Sequence, residues 1–129
     1  MHPLELRLGN YVADAIYKKP MYIVFISAKD VYLDFEGNEG DVWESLTKDV
    51  IPLPIKDNTN ILIEFGFSYD KENDIYVRCK DNICIKLKQG SDGKYDVFNS
   101  NAHDRVEFIH QLQNFVFDSL DVVLLPYEL

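Results

Sequence analysis

Residues 75–99 alternate apolar and polar side chains with a period of two, and that periodicity leaves few folds open. Ile75, Val77 and Cys79 interleave with Tyr76, Arg78 and Lys80; after Asp81-Asn82, the residues Ile83, Ile85 and Leu87 interleave with Cys84, Lys86 and Lys88. Successive strand side chains point to opposite faces, so each run has one apolar face. A two-residue Asp81-Asn82 turn pairs Cys79 with Cys84 and Val77 with Lys86, which sets apolar against charged residues. A three-residue loop, Lys80-Asp81-Asn82, pairs Cys79 with Ile83, Val77 with Ile85 and Ile75 with Leu87, with Asn82 in the left-handed position. Side-chain parity favours the second arrangement, which sends the two cysteines to opposite faces, unbonded. A further loop, Gln89 to Gly93, then pairs Leu87 with Tyr95 and Ile85 with Val97, and faces Lys86 toward Asp96. Residues 75–99 therefore read as a three-stranded antiparallel meander with one apolar face.

That face needs a cover, and residues 102–120 offer one. With Asn101 as N-cap and Asp104 in the first turn, Val106, Phe108, Ile109, Leu112, Phe115, Val116, Phe117 and Leu120 fall within one arc of roughly 200°. The first third of the chain reads as β, punctuated at Gly9-Asn10, Lys19-Pro20 and Lys29-Asp30. Residues 22–26 are apolar on both alternations, as in a strand buried on both faces. Val31, Leu33 and Phe35 alternate with Tyr32 and Asp34, as in a half-buried one. Residues 42–46 suggest one helical turn, Pro52 and Pro54 exclude helix, and a short helix opens at Asn58 or Asn60 and stops at Gly66.

The expected fold class is α+β: an N-terminal curved SH3-like β unit, a short helix, a three-stranded antiparallel meander and a covering C-terminal helix. Residues 1–129 form one compact domain with two subunits of structure, a β unit over 1–56 and an α-β-β-β-α unit over 57–129. The tail from Val122 adds an edge strand or packs across the core.

Composition narrows the function classes. Twenty-two acids against 13 bases give a net charge of −9, the wrong sign for a general grip on phosphate backbones. Cys79 and Cys84 are too few for a disulfide scaffold, and His2, His103 and His110 stand far from them in sequence, so no metal set is expected. The first ten residues lack the features of a signal peptide, and no apolar run reaches the roughly 20 residues of a membrane helix. A cytoplasmic protein with reduced thiols is the expectation. The acidic turn from Asp34 places Glu39 where a calcium loop needs Gly and Ser45 where it needs Glu. No G-x-S-x-G, phosphate loop or dinucleotide fingerprint occurs, and neither cysteine sits in an activating pattern. The chain reads as a non-enzyme with no catalytic residues and no cofactor.

Two places invite a binding role. The first is the run from His110 to Asn114. On a helix, His110 and Gln113 turn toward the core rim to bond loop backbone, while Gln111 and Asn114 face away and offer a neutral, amide-rich docking edge for a protein. The second is the polar face of the meander, where Tyr76, Arg78 and Lys86 can stack a base and hold phosphates. The α-β-β-β-α order resembles double-stranded RNA-binding domains. Those place a basic cluster at the start of the last helix, where this chain carries Asp104 and Glu107.

Three anchors occur in order: ELRLGNYV near the start, IPLPI followed by ILIEFGF in the middle, and FIHQLQNFVF near the end. In these the chain resembles a family of small uncharacterised proteins from Bacteroidetes genomes, prophages and phages. That family carries an L-R-x-G-N-x-V start, an I-P-L-T segment leading to a helix ending in G-F, and a late V-H-x-L-Q-N helix. Here PIKDNTNIL replaces the usual helix start and DSLDVVLLPYEL the usual ending. The resemblance implies no catalytic residues, only a phage-associated setting inside a bacterial cell. The expected function is non-catalytic protein binding by a phage or prophage accessory protein. Binding of a small ligand or nucleotide signal that counters host defence, and accessory nucleic-acid binding, stand as alternatives.

Overall fold

A computed structural model describes residues 5–16, 18–35, 38 and 42–125. His2, most of the acidic turn after Asp34 and the tail from Pro126 lie outside the described residues. The chain is α+β, with ten strands among the described residues, in two antiparallel five-stranded sheets. It divides into two compact units, one running to Leu53 and regaining the chain at Leu125, the other spanning Pro54–Leu124.

The first unit holds β1 (Tyr11–Asp14), β2 (Met21–Ile26), β3 (Asp30–Asp34), β4 (Trp43–Leu46) and β5 (Val50–Ile51), in the order β4-β3-β2-β1-β5. A single 3-10 turn, Thr47–Asp49, joins β4 to β5. This is a curled half-barrel, and among the described residues β4 and β5 do not pair with each other. Its core is Leu6, Val12, Met21, Ile23, Val31, Leu33 and Val50, with Ile26, Phe35 and Trp43 packed against it. The punctuation read from sequence holds, since β1, β2 and β3 start at or just after Gly9-Asn10, Lys19-Pro20 and Lys29-Asp30. Gly9 sits at φ +84, and a side chain there would meet Leu125.

Two expectations for this unit fail. Residues 43–46 are strand rather than helical turn, because Trp43 beside Leu33 and Ser45 beside Val31 complete the inward face. Nor is β2 buried on both sides. Ile23 pairs with Leu33 but Phe25 pairs with Tyr32, so Val24 is an extra residue, a β-bulge. Met21 and Ile23 point inward before the bulge and Ile26, opposite Val31, after it. Phe25 is thereby turned outward and is 56% exposed.

The second unit opens with an isolated bridge between Pro54 and Phe108, reinforced by the Ile55 N–H donating to the Glu107 carbonyl at 2.9 Å. Helix α1 (Thr59–Glu64) follows Asn58 and ends where Gly66 takes φ +96. The sheet is β6 (Ser68–Asp70), β7 (Ile75–Lys80), β8 (Ile83–Gln89), β9 (Tyr95–Phe98) and β10 (His103–Val106), paired in sequence order. Helix α2 (Ile109–Leu120) contributes Ile109, Leu112 and Val116 to a core that includes Ile61, Leu62, Phe67, Ile85, Leu87, Tyr95, Val97 and Val106.

The meander is thus longer than expected, and its first hairpin has the register that parity rejected. Cys79 pairs with Cys84, Val77 with Lys86, Arg78 with Ile85 and Tyr76 with Leu87. Asp81 (φ 53) and Asn82 (φ 67) are both left-handed, as the favoured two-residue hairpin turn requires. Tyr76 and Arg78 therefore share the face of Ile85 and Leu87, while Ile75 and Val77 lie on the other. Parity misled because an arginine stem and a tyrosine ring cover apolar surface well. The second hairpin slips by two, pairing Leu87 with Val97, Gln89 with Tyr95 and Lys88 with Asp96, so faces are kept and Lys88 takes the place expected of Lys86.

Residues 103–106 are strand, not the first turn of a helix. Asn99 Oδ1 accepts from the N–H groups of Asn101 (2.8 Å) and Ala102 (3.0 Å), and the Asn99 N–H donates to the Ala102 carbonyl. This local turn reverses the chain directly after β9 and lays β10 beside it. The N-cap is Phe108, and Asn101 caps nothing. After α2, Asp121 takes a left-handed C-cap and Val122 and Leu124 are buried, so the described part of the tail packs on the core and forms no strand.

The turn gives a direct test. Replacing Asn82 by valine, which resists positive φ, should lower unfolding free energy by about 1–2 kcal/mol. Asn82→Gly should leave it equal or higher. Urea unfolding of both variants measures this, and equal stabilities would argue against a left-handed Asn82.

Candidate functional site

The side chains of the HQLQN run are engaged largely in packing and capping. His110 is 2% exposed and stacks on Phe108, ring centroids 6.0 Å apart and 13° between planes. Gln113 is buried and its Nε2 donates to the Leu124 carbonyl at 2.9 Å, tying the tail to α2. Gln111 is exposed, yet its Oε1 accepts from the Glu107 and Phe108 N–H groups at 2.9 and 3.2 Å, so it caps the helix start. Asn114 is half-buried. The exposed amide edge expected from Gln111 and Asn114 is reduced to a capping group and a half-covered one.

The second expected site is divided by the hairpin register. Tyr76 and Arg78 lie on the core face of the sheet, and Lys86 lies on the opposite face. Arg78 Nε donates to the Phe65 carbonyl at 2.9 Å, closing the C-terminal end of α1. Burial lowers the Arg78 pKa from its ordinary value, against the opposing pull of Asp81. Tyr76 packs on Tyr69, ring centroids 5.0 Å apart, and the Tyr69 hydroxyl donates to Asp74. Neither residue can join Lys86 in stacking a base and holding its phosphate.

The outer face of this sheet carries a different arrangement. Cys79 and Cys84 project there together and form a disulfide, with Cα atoms 4.1 Å apart. Two reduced thiols on opposite faces were expected; the two-residue turn makes them a directly opposed pair instead. Both cysteines are exposed, which leaves the bond open to thiol–disulfide exchange. Elsewhere on this face, Arg105 Nη2 reaches Asp92 at 2.7 Å and Arg105 Nε reaches Asp96 at 3.7 Å, while His103 Nε2 lies 3.8 Å from Asp96. The Lys94 N–H first, and the Arg105 charge after it, hold the Asp92 carboxyl below the usual carboxylate range. Lys86 is framed differently. Its cross-strand neighbours are Val77 and Phe98, and among the described residues no carboxylate is in ion-pair reach. A groove of about 520 Å³ opens beside it, lined by Lys86, Phe98, Cys84, Asn82, Asn99 and Asn101 among others.

The first unit presents a second surface that the sequence reading missed. Phe25 and Tyr32 are cross-strand neighbours in edge contact, centroids 5.4 Å apart, and Tyr32 in turn faces Glu44. Leu46, 45% exposed, pairs with Asp30 on the same face. The signal was present in the surplus of apolar residues in MYIVFI, which one buried face cannot absorb. On the inner side, Trp43 Nε1 donates to the buried Asp14 carboxylate at 2.8 Å, which fixes β4 over the core.

Among the described residues no group of three or more His, Cys, Asp or Glu side chains is placed to hold a metal ion. No described helix is long and apolar enough to cross a membrane.

Two measurements check these assignments. Arg78→Met keeps the stem but loses the bond to the Phe65 carbonyl, and should destabilise by about 1–2 kcal/mol in urea unfolding. Because the folded-state pKa of Asp92 is depressed, its contribution is present above the unfolded carboxylate pKa and is lost as pH falls through the lowered value. Asp92→Asn should therefore flatten the acid limb of the stability profile and leave its slope near neutral pH unchanged.

Comparison with protein-family models, with curated proteins and with solved structures yields no match to this chain.

Proposed function

We propose that the protein acts without catalysis, by binding another protein through the outer face of its half-barrel. One observation carries this reading: Phe25, 56% exposed, stands on a bulge that turns it away from an otherwise satisfied core. Bulges often re-aim a side chain in this way. Around it, Tyr32 and Leu46 supply further apolar surface, and Asp30 and Glu44 give the patch an acidic frame. Apolar anchors within a polar rim are the usual make-up of a recognition surface. With a net charge of −9, the partner surface is basic with apolar anchors of its own. With His110, Gln111 and Gln113 engaged in packing and capping, the docking surface is β2–β3–β4 rather than α2. The resemblance to phage and prophage proteins supports an accessory role inside a bacterial host cell.

The test is affinity capture from host lysate with quantitative mass spectrometry, comparing the native chain, Phe25→Ser/Leu46→Ser and Gln111→Ala. A specific partner should be depleted on the order of tenfold by the double substitution and retained by Gln111→Ala. Capture that is unchanged by the double substitution, in a variant of native stability, would count against this surface.

A further inference from the structure

We infer that the groove on the outer face of the second sheet is a binding site for a small planar anion of the mononucleotide class. Its elements come from three places that the fold brings together. The two-residue turn contributes Asn82, β8 contributes Cys84 and Lys86, and the reversal after β9 contributes Phe98, Asn99 and Asn101. At about 520 Å³ it has the capacity of a small-molecule site.

Charge decides the sign of the ligand. In a chain with net charge −9, Arg105 on this face is matched by Asp92 and Asp96, and Lys88 at least stands opposite Asp96 across the strand pair. Lys86 has Val77 on one side and Phe98 on the other, and no described carboxylate within ion-pair reach. Its stem is held between apolar neighbours while its ammonium serves the groove. One anionic group is therefore matched, as a point charge.

The remaining lining decides the rest of the ligand. Phe98 is half-buried, beside the exposed Cys79–Cys84 disulfide. Ring and sulfur together make an apolar wall suited to a flat heterocycle. The side-chain oxygen of Asn99 is occupied by the Asn101 and Ala102 N–H groups, which fixes its amide and leaves the NH2 as the donor end. Asn82 and Asn101 add further amides at the rim, each able both to give and to accept, as the edge of a nucleobase demands. A phosphate on Lys86 and a base against Phe98 use both halves of the groove, which neither inorganic phosphate nor an uncharged nucleoside does.

The experiment is isothermal titration of the full chain, disulfide intact, with adenosine monophosphate, adenosine and inorganic phosphate, at low salt. Adenosine monophosphate should bind in the micromolar to millimolar range. Adenosine and phosphate should each bind at least about tenfold more weakly. Lys86→Gln and Phe98→Ala should each weaken adenosine monophosphate binding about fivefold or more. Both variants are checked for native melting temperature, and chemical-shift mapping on the native chain supplies a readout independent of their folding. Absence of binding by adenosine monophosphate, retention of full affinity in a folded Lys86→Gln, or shifts confined to residues outside the groove would each overturn the proposal.

Discussion

One register, that of β7 against β8, decides what each face of the second sheet can do. With Cys79 opposite Cys84, Arg78 is carried to the core side, where its guanidinium closes α1 at the Phe65 carbonyl. The same register carries Lys86 to the outer side, between Val77 and Phe98. A shift of one residue would reverse the facing of β7 as a whole. It would separate the cysteines, expose the α1 terminus and put Arg78 beside Lys86. The turn at Asp81-Asn82, two residues with positive φ, is the local chemistry that holds this register in place.

The first unit depends on a comparable device. The bulge at Val24 lets β2 curl while keeping Met21, Ile23 and Ile26 on the inner side. Its by-product is an outward Phe25, and the half-barrel thereby gains a surface its core does not require. In both units the regions with functional promise are faces that packing leaves over. The polar residues that attract attention in the sequence, Gln111, Gln113 and Arg78, are consumed in capping and tying. A buried or terminal backbone group must find a partner, and these side chains supply it.

How much of this was legible in the sequence follows from the range of each interaction. Strand starts at Gly9-Asn10 and Pro20, the stop at Gly66 and the buried faces of β3 and β8 depend on local punctuation and period, and they read correctly. Side chains that can serve either face were misread. Arg78 and Tyr76 look polar in an alternation, yet their stem and ring are apolar enough for the core side. The turn after β9 was misread because the helical periodicity of residues 102–120 runs straight through it. The Asn99 side chain, bonded to two N–H groups, breaks that helix in a way periodicity does not register. The Phe25 surface was hidden because a bulge becomes visible only once the partner strand is in place.

The most direct test of this account is the hairpin register itself, read by proton NMR on the native chain. Cys79 and Cys84 form the closely spaced kind of antiparallel pair, with Cα atoms 4.1 Å apart. The account predicts a strong cross-strand contact between their α-protons, and a second between those of Val77 and Lys86. An α-proton contact between Arg78 and Cys84, or between Tyr76 and Lys86, in their place would contradict it. That result would return Arg78 to the outer face and remove the basis for both the α1 closure and the Lys86 groove.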